Sequence, residues 1–216
     1  MILNNLKKRF LTSFALLLLI FVILSFNIFL VYSLIVFGVL AMLEFYNIAK
    51  KIFKNKIYLS ISNSFFTIYI FIFCILFFFF SNIIQLKIIL FSLLIGCVAS
   101  DIGGFIFGRI IKGPKLSKIS PNKTIAGAFG SLIMTNIIFS CSIFYFTKHF
   151  SYTILIIATI TSISCQFGDL FFSYLKRKAI IKDTGNILPG HGGVLDRLDG
   201  ILVGIPLGFI TLTLIY

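Results

Sequence analysis

Residues 57–80 read IYLSISNSFFTIYIFIFCILFFFF, a run of 24 residues without one charged side chain. At 1.5 Å rise per residue it forms a helix about 36 Å long, enough to cross a hydrocarbon core about 30 Å thick. Working outward and cutting the chain at polar residues gives further spans near 10–25, 27–48, 84–108, 125–147, 151–172 and 200–216. Hydrophobic residues make up 59% of the 216 positions and charged residues only 12%, so no soluble domain is left over. The expected fold is an all-α polytopic integral membrane protein with about seven transmembrane helices. It is read as a single membrane-embedded domain over 1–216, with N-terminal spans in 1–83 and a region in 84–216 that holds five of the six acidic residues.

The charges orient these spans. A net charge of +13 suggests nucleic acid in a soluble protein, but here the basic residues flank apolar runs and are read as topology signals beside anionic headgroups. With the N-terminus inside, seventeen of the nineteen Lys and Arg residues fall in inside segments, and only Lys87 and Lys148 lie outside. A six- or eight-span count breaks this alternation. MILNNLKKRF followed by LTSFALLLLIFVILSF has the charged-then-apolar plan of a signal peptide. A second apolar run follows at once with no small-residue cleavage site, so a retained first span is expected, turning tightly around Ser25–Asn27. Gly204, Pro206 and Gly208 mark the last span for a kink or a close helix approach. Cys74, Cys97, Cys141 and Cys165 lie inside apolar runs without metal-ligand spacing and are read as packing residues.

Six acidic residues remain: Glu44, Asp101, Asp169, Asp183, Asp196 and Asp199. A carboxylate at membrane depth costs a few kcal/mol or more unless it is paired, which makes each a functional candidate. If the sixth span stays helical past Asp169, then Asp169, Ser173 and Lys176 share one face. Asp196 and Asp199, three residues apart, do the same at the start of the seventh. Carboxylates with Lys and Arg nearby suit Mg²⁺ and phosphoryl or nucleotidyl transfer. They equally suit plain helix-end pairing with Arg177, Lys182 and Arg197, and spacing alone leaves both readings open. The loop KDTGNILPGHGGVLDRLDG frees its backbone at four glycines, Gly185, Gly190, Gly192 and Gly193, and either cradles phosphate or makes an ordinary turn. His191 is ambiguous in the same way.

The whole string is more specific. Residues 173–199, SYLKRKAIIKDTGNILPGHGGVLDRLD, resemble the C-terminal signature of the CDP-diacylglycerol synthases, or phosphatidate cytidylyltransferases. Ser173, Lys176, Arg177, Lys182, Asp183, Gly185, Pro189, His191, Gly192, Gly193, Asp196, Arg197 and Asp199 all fall on the pattern. Upstream, Gly168–Asp169 resembles the family's acidic motif, SDIGGFIFGR at 100–109 its DxxAYxxGR-like segment, and SPNKTIAG at 120–127 its SPKKTWEG segment. EFY at Glu44–Tyr46 is a weaker echo. Two positions depart from the family: an acid is replaced by Phe172 and a glutamate by Ala126.

The resemblance implies that phosphatidic acid attacks the α-phosphorus of CTP, giving CDP-diacylglycerol and pyrophosphate. It implies an Mg²⁺ cofactor, with Asp169 and Asp196 as metal carboxylates and Asp199 in support. Ser173, Lys176, Lys182 and Asp183 then hold phosphates and order the loop. Arg109, Ser120, Lys123, Arg177, His191, Gly192, Gly193 and Arg197 are substrate-binding candidates. The implied setting is the cytoplasmic (inner) membrane with the site facing the cytoplasm, CTP, phosphatidic acid and membrane lipid as partners, and homo-oligomerisation left open. A non-catalytic lipid-binding or scaffold derivative is the alternative that Phe172 and Ala126 motivate; a transporter ranks third because the first five spans lack paired charges apart from Asp101.

Overall fold

The computed structural model describes residues 18, 22–23, 26–117, 119–185, 187 and 192–215. Among them are six helices long and apolar enough to cross a membrane: α1 (Asn27–Ile52), α2 (Lys56–Asn82), α3 (Ile84–Ile110), α4 (Ile125–Thr147), α5 (Tyr152–Lys178) and α6 (Leu195–Ile215). The described regular structure is helical, with an isolated antiparallel bridge between Lys115 and Thr124. The helices keep large apolar side chains on their outer surfaces, among them Phe65, Phe71, Phe129 and Phe167. That surface suits lipid as solvent, and the protein is an integral membrane protein. The first expected span, near 10–25, lies outside the described residues apart from three scattered positions.

Four expected spans match their helices to within a few residues. Two helices outrun the apolar sequence. α5 continues through the polar run Ser173–Lys178, and α6 begins at Leu195, ahead of Asp196 and Asp199. A cut at polar residues finds where apolar character ends, whereas a helix persists as long as its backbone groups find partners. Pro206 lies inside α6 without ending it.

The chain divides into two compact units. One comprises the chain up to Asn82 together with Leu175–Leu198; the other comprises Ile83–Tyr174 and Asp199–Tyr216. In the first, α1 packs on α2 through stacked Phe45 and Phe66 rings, 3.9 Å between centroids, and through Gly38 against Ile70 and Cys74. In the second, α3 and α4 meet through small residues. A Cβ on Gly103 would strike the Gly130 carbonyl, and one on Gly127 would come within 2.7 Å of the Gly104 carbonyl. The glycines of SDIGGFIFGR are thus packing positions that bring backbones together, as membrane helices require where lipid offers no hydrophobic driving force. Ser131 Oγ donates across this crossing to the Ser100 carbonyl at 2.7 Å. The close approach expected at the last span is present, since Gly204 lies against Cys97 and Gly208 against Thr161 and Leu93.

Candidate active site

In the second unit the segment between α3 and α4 folds back on itself. Leu116 N–H donates to the Lys123 carbonyl at 2.8 Å and Ile125 N–H to the Pro114 carbonyl at 3.0 Å. The tip Ser120-Pro121-Asn122-Lys123 closes with Lys123 N–H donating to the Ser120 carbonyl at 3.1 Å, with proline where a β-turn favours it. Thr124 then caps α4, its hydroxyl accepting from Gly127 N–H at 3.1 Å. This turn fixes Lys123, whose ammonium forms an ion pair with Asp169 on α5. Ser173, one helical turn on, donates to Asp169 Oδ1 at 3.4 Å. The Asp169 side chain is 28% exposed, so the trio stays open to a ligand. Ser120 contributes its carbonyl to the turn. Arg109, in the last turn of α3, is exposed with its guanidinium 5.9 Å from the centre of the Phe105 ring. Asp199 is buried on α6 and accepts from Gly200 N–H at 2.9 Å. Phe172 is buried.

In the first unit the C-terminus of α5 ends in a Schellman turn. Ile181 N–H reaches the Lys176 carbonyl and Ile180 N–H the Arg177 carbonyl, each at 3.0 Å, with Ile180 left-handed at φ 56°. Lys176, still helical, points its ammonium at Asp196 Oδ1, 2.7 Å away. Asp196 Oδ2 accepts from Thr184 N–H at 2.8 Å and Gly193 N–H at 3.0 Å, and Thr184 Oγ1 lies within reach at 3.1 Å. The carboxylate near the start of α6 therefore pins both ends of the glycine-rich loop. It also lies where the helix dipole favours negative charge.

A second carboxylate completes this arrangement. Glu44 of α1 is 2% exposed. It accepts from Val194 N–H at 2.9 Å and Leu195 N–H at 2.8 Å, two donors that the start of α6 leaves without helical partners. Thr184 Oγ1 lies 2.7 Å from Glu44 and 3.1 Å from Asp196, and its single proton serves one of them at a time. Gly193 is required here, because a Cβ would collide with Thr184 Oγ1 and the Glu44 carboxylate. Gly192 adopts φ 84°, a conformation glycine takes readily, and Asp183 lies beside it.

The structure thus gathers the expected residues as Lys123, Asp169 and Ser173 in one unit, and Lys176, Asp196 and Gly193 in the other. Asp169 and Asp196 take Lys123 and Lys176 as ion partners, not the Arg177, Lys182 or Arg197 of the helix-end reading. Lys182 and Asp183 are exposed in the loop, and Arg177 and Arg197 are exposed near helix ends. His191 lies outside the described residues, as does Pro189. Thr184 is the residue that sequence reasoning missed, and Glu44, a candidate only as an acid at membrane depth and through the weak EFY echo, has no role in the loop in that reading. The signal for Glu44 was a lone acid in an otherwise apolar span.

The donor chemistry suits a hard cation in one place more than the other. Mg²⁺ needs only one or two carboxylates, with water and phosphate oxygens filling the rest. Asp169, partly exposed and paired to a single ammonium, could supply one such carboxylate, although no three His, Cys, Asp or Glu side chains group together as a metal site among the described residues. Asp196 accepts from Lys176 and two backbone N–H groups, shares the Thr184 hydroxyl with Glu44, and organises the loop.

The family model described as "Cytidylyltransferase family" matches residues 4–215. Among curated proteins, the chain is 43% identical over 119 residues to a phosphatidate cytidylyltransferase of Helicobacter pylori, covering 52% of this chain and 42% of that one. It is 44% identical over 110 residues to that of Staphylococcus haemolyticus, covering 50% and 42%. For Rickettsia bellii the figures are 44% over 117 residues, covering 50% and 51%. The chain spans about half the length of the curated relatives it matches. With the family model matching nearly from end to end, the chain belongs to the cytidylyltransferase family.

Proposed function

We propose that the protein is a CTP:phosphatidate cytidylyltransferase. A phosphate oxygen of phosphatidic acid bonds to the α-phosphorus of CTP, the α–β phosphoanhydride breaks, and pyrophosphate leaves with the bond electrons. The observation that carries this reading is the hydrogen-bonded cluster of signature residues at the start of α6. Lys176, Gly193 and Asp196 meet at 3.0 Å or less, holding the backbone of a loop suited to phosphate. The nucleophile is already an ionised phosphate oxygen, so no strong general base is needed. What the protein supplies is positioning and positive charge.

In this reading Lys123, Lys182 and Arg109 neutralise phosphate oxygens while Lys176 and Asp196 hold the loop in shape. Ser173 and Asp183 orient the phosphates, Ser120 presents Lys123, and Arg177, Arg197, His191 and Gly192 contact substrate. Mg²⁺ would be held by Asp169, with water and phosphate oxygens filling its other positions, and when bound it would neutralise charge on the triphosphate. On the seven spans and inside N-terminus expected from the charge pattern, this chemistry would lie at the cytoplasmic face of the inner membrane. There a cytosolic nucleotide and a lipid phosphate can meet.

The test uses purified protein in detergent with CTP, phosphatidic acid and Mg²⁺, following pyrophosphate and CDP-diacylglycerol, beside complementation of a strain lacking the enzyme. Product formation, rescue by wild type and failure of Asp169→Asn support the reading. Phosphatidate binding without turnover, under conditions where a relative is active, points instead to a lipid-binding derivative.

A further inference from the structure

The hairpin of α1 and α2 carries two recesses that the cytidylyltransferase residues do not use. At its closed end lies a cavity of about 640 Å³ lined by Tyr46, Lys50, Lys54, Lys56, Ser60 and Asn63 among others. Farther along is an apolar groove of about 320 Å³, whose walls include Val39, Met42, Ile70 and Cys74.

Both open on one face. On α1, Val39, Met42, Tyr46 and Lys50 step by three, four and four residues; on α2, Lys56, Ser60, Asn63, Ile70 and Cys74 step by four, three, seven and four. Residues at these spacings lie above one another on a helix. A basic, partly polar recess at the helix ends and a separate apolar groove toward the middle of the spans therefore lie in line along the hairpin. Asn63 Oδ1 adds an independent sign of a missing partner: it is buried and accepts no hydrogen bond among the described residues. A buried acceptor of this kind calls for a donor.

The geometry points to a binding site for one anionic phospholipid. Its phosphate sits among Lys50, Lys54 and Lys56, a headgroup hydroxyl donates to Asn63 Oδ1, and an acyl chain lies in the groove. The apolar groove and the orphan acceptor select this occupant over a free phosphate ion, which uses neither. The inference rests on the membrane placement of α1 and α2 and not on the cytidylyltransferase reading, so failure of the enzyme assay leaves it standing.

The full chain is purified with a mixture of phosphatidylglycerol and phosphatidylcholine, delipidated stepwise, and the retained lipid counted by native mass spectrometry. Wild type is expected to keep one phosphatidylglycerol. Each of Lys50→Gln, Lys54→Gln and Lys56→Gln weakens retention about fivefold, the effect of one lysine beside a charged lipid surface. Lys51→Gln, the same charge change outside the recess, leaves it unaltered. Val39→Trp fills the groove from an exposed position and also releases the lipid. Equal retention of phosphatidylcholine, unchanged retention in the triple lysine variant, or displacement by inorganic phosphate at the concentration that displaces soluble glycerol phosphate would each overturn the assignment.

Discussion

Replacing Glu44 by glutamine changes one oxygen of a buried carboxylate into an NH₂ group and tests whether α1 holds the start of α6. Oε2 takes Leu195 N–H and Thr184 Oγ1, while Oε1 takes Val194 N–H. The better amide orientation keeps an oxygen at the Oε2 place. Its NH₂ then faces the Val194 N–H, and both donors are left without acceptors. The two retained bonds also lose their charge assistance. Some of this is offset because a buried charge is removed, and a net loss of about 2 kcal/mol of local stability is expected. That corresponds to roughly thirtyfold faster amide exchange where exchange proceeds by local opening. The assay is hydrogen–deuterium exchange by mass spectrometry in detergent on peptides covering 192–198, with α4 as an internal reference. Glu44→Ala, which removes every acceptor, must exceed the glutamine effect. Exchange within twofold of wild type at these residues in both variants refutes the anchoring role.

Three further outcomes follow from named contacts. Gly193→Ala forces a methyl into Thr184 Oγ1 and the Glu44 carboxylate and is expected to cost about 3 kcal/mol, read as a lowered Tm, whereas Gly113→Ala, with open space around its Cβ but φ 104°, costs only about 1 kcal/mol. Ile180 is a β-branched residue at φ 56° with its side chain 93% exposed, so Ile180→Gly relieves strain and raises stability by about 1 kcal/mol in thermal unfolding. Restoring an acid by Phe172→Glu puts a carboxylate at a site that is 4% exposed and is expected to lower thermal stability by about 3 kcal/mol; a variant as stable as wild type would mean that the site reorganises to pair the charge.

The membrane fold is legible because its signal is local: from Asn27 onward each expected apolar run declares its own helix, and the runs are long against any soluble alternative. The i, i+4, i+7 face of Asp169, Ser173 and Lys176 is legible for the same reason, and α5 carries it as one continuous helix. What spacing does not convey is which cation meets which carboxylate. Lys123 reaches Asp169 because a proline turn folds the α3–α4 segment back, and Lys176 reaches Asp196 twenty positions on, across the loop between α5 and α6. The glycines of 100–109 were read through a motif, whereas their physical use is the close crossing of α3 and α4.

Glu44 marks the far limit of such reading. Its partners lie 140 to 151 residues away in sequence, so neither periodicity nor local motif connects them. Its chemistry nevertheless explains the signature loop. Thr184, Gly193, Val194 and Leu195 present N–H and O–H donors that a buried loop must satisfy, and one carboxylate cannot accept from all of them. Asp196 serves the N–H groups of Thr184 and Gly193, and Glu44 serves those of Val194 and Leu195. The two acids share the Thr184 hydroxyl. A loop whose ends are fixed by two carboxylates, one borne by a separate span, keeps its shape without drawing on the lysines outside it. In the proposed function this leaves the exposed Lys182 for phosphate, whereas Lys176 is committed to the scaffold and Lys123 is paired with Asp169. Loss of Glu44 should therefore weaken loop order before it alters the charge that a phosphate meets.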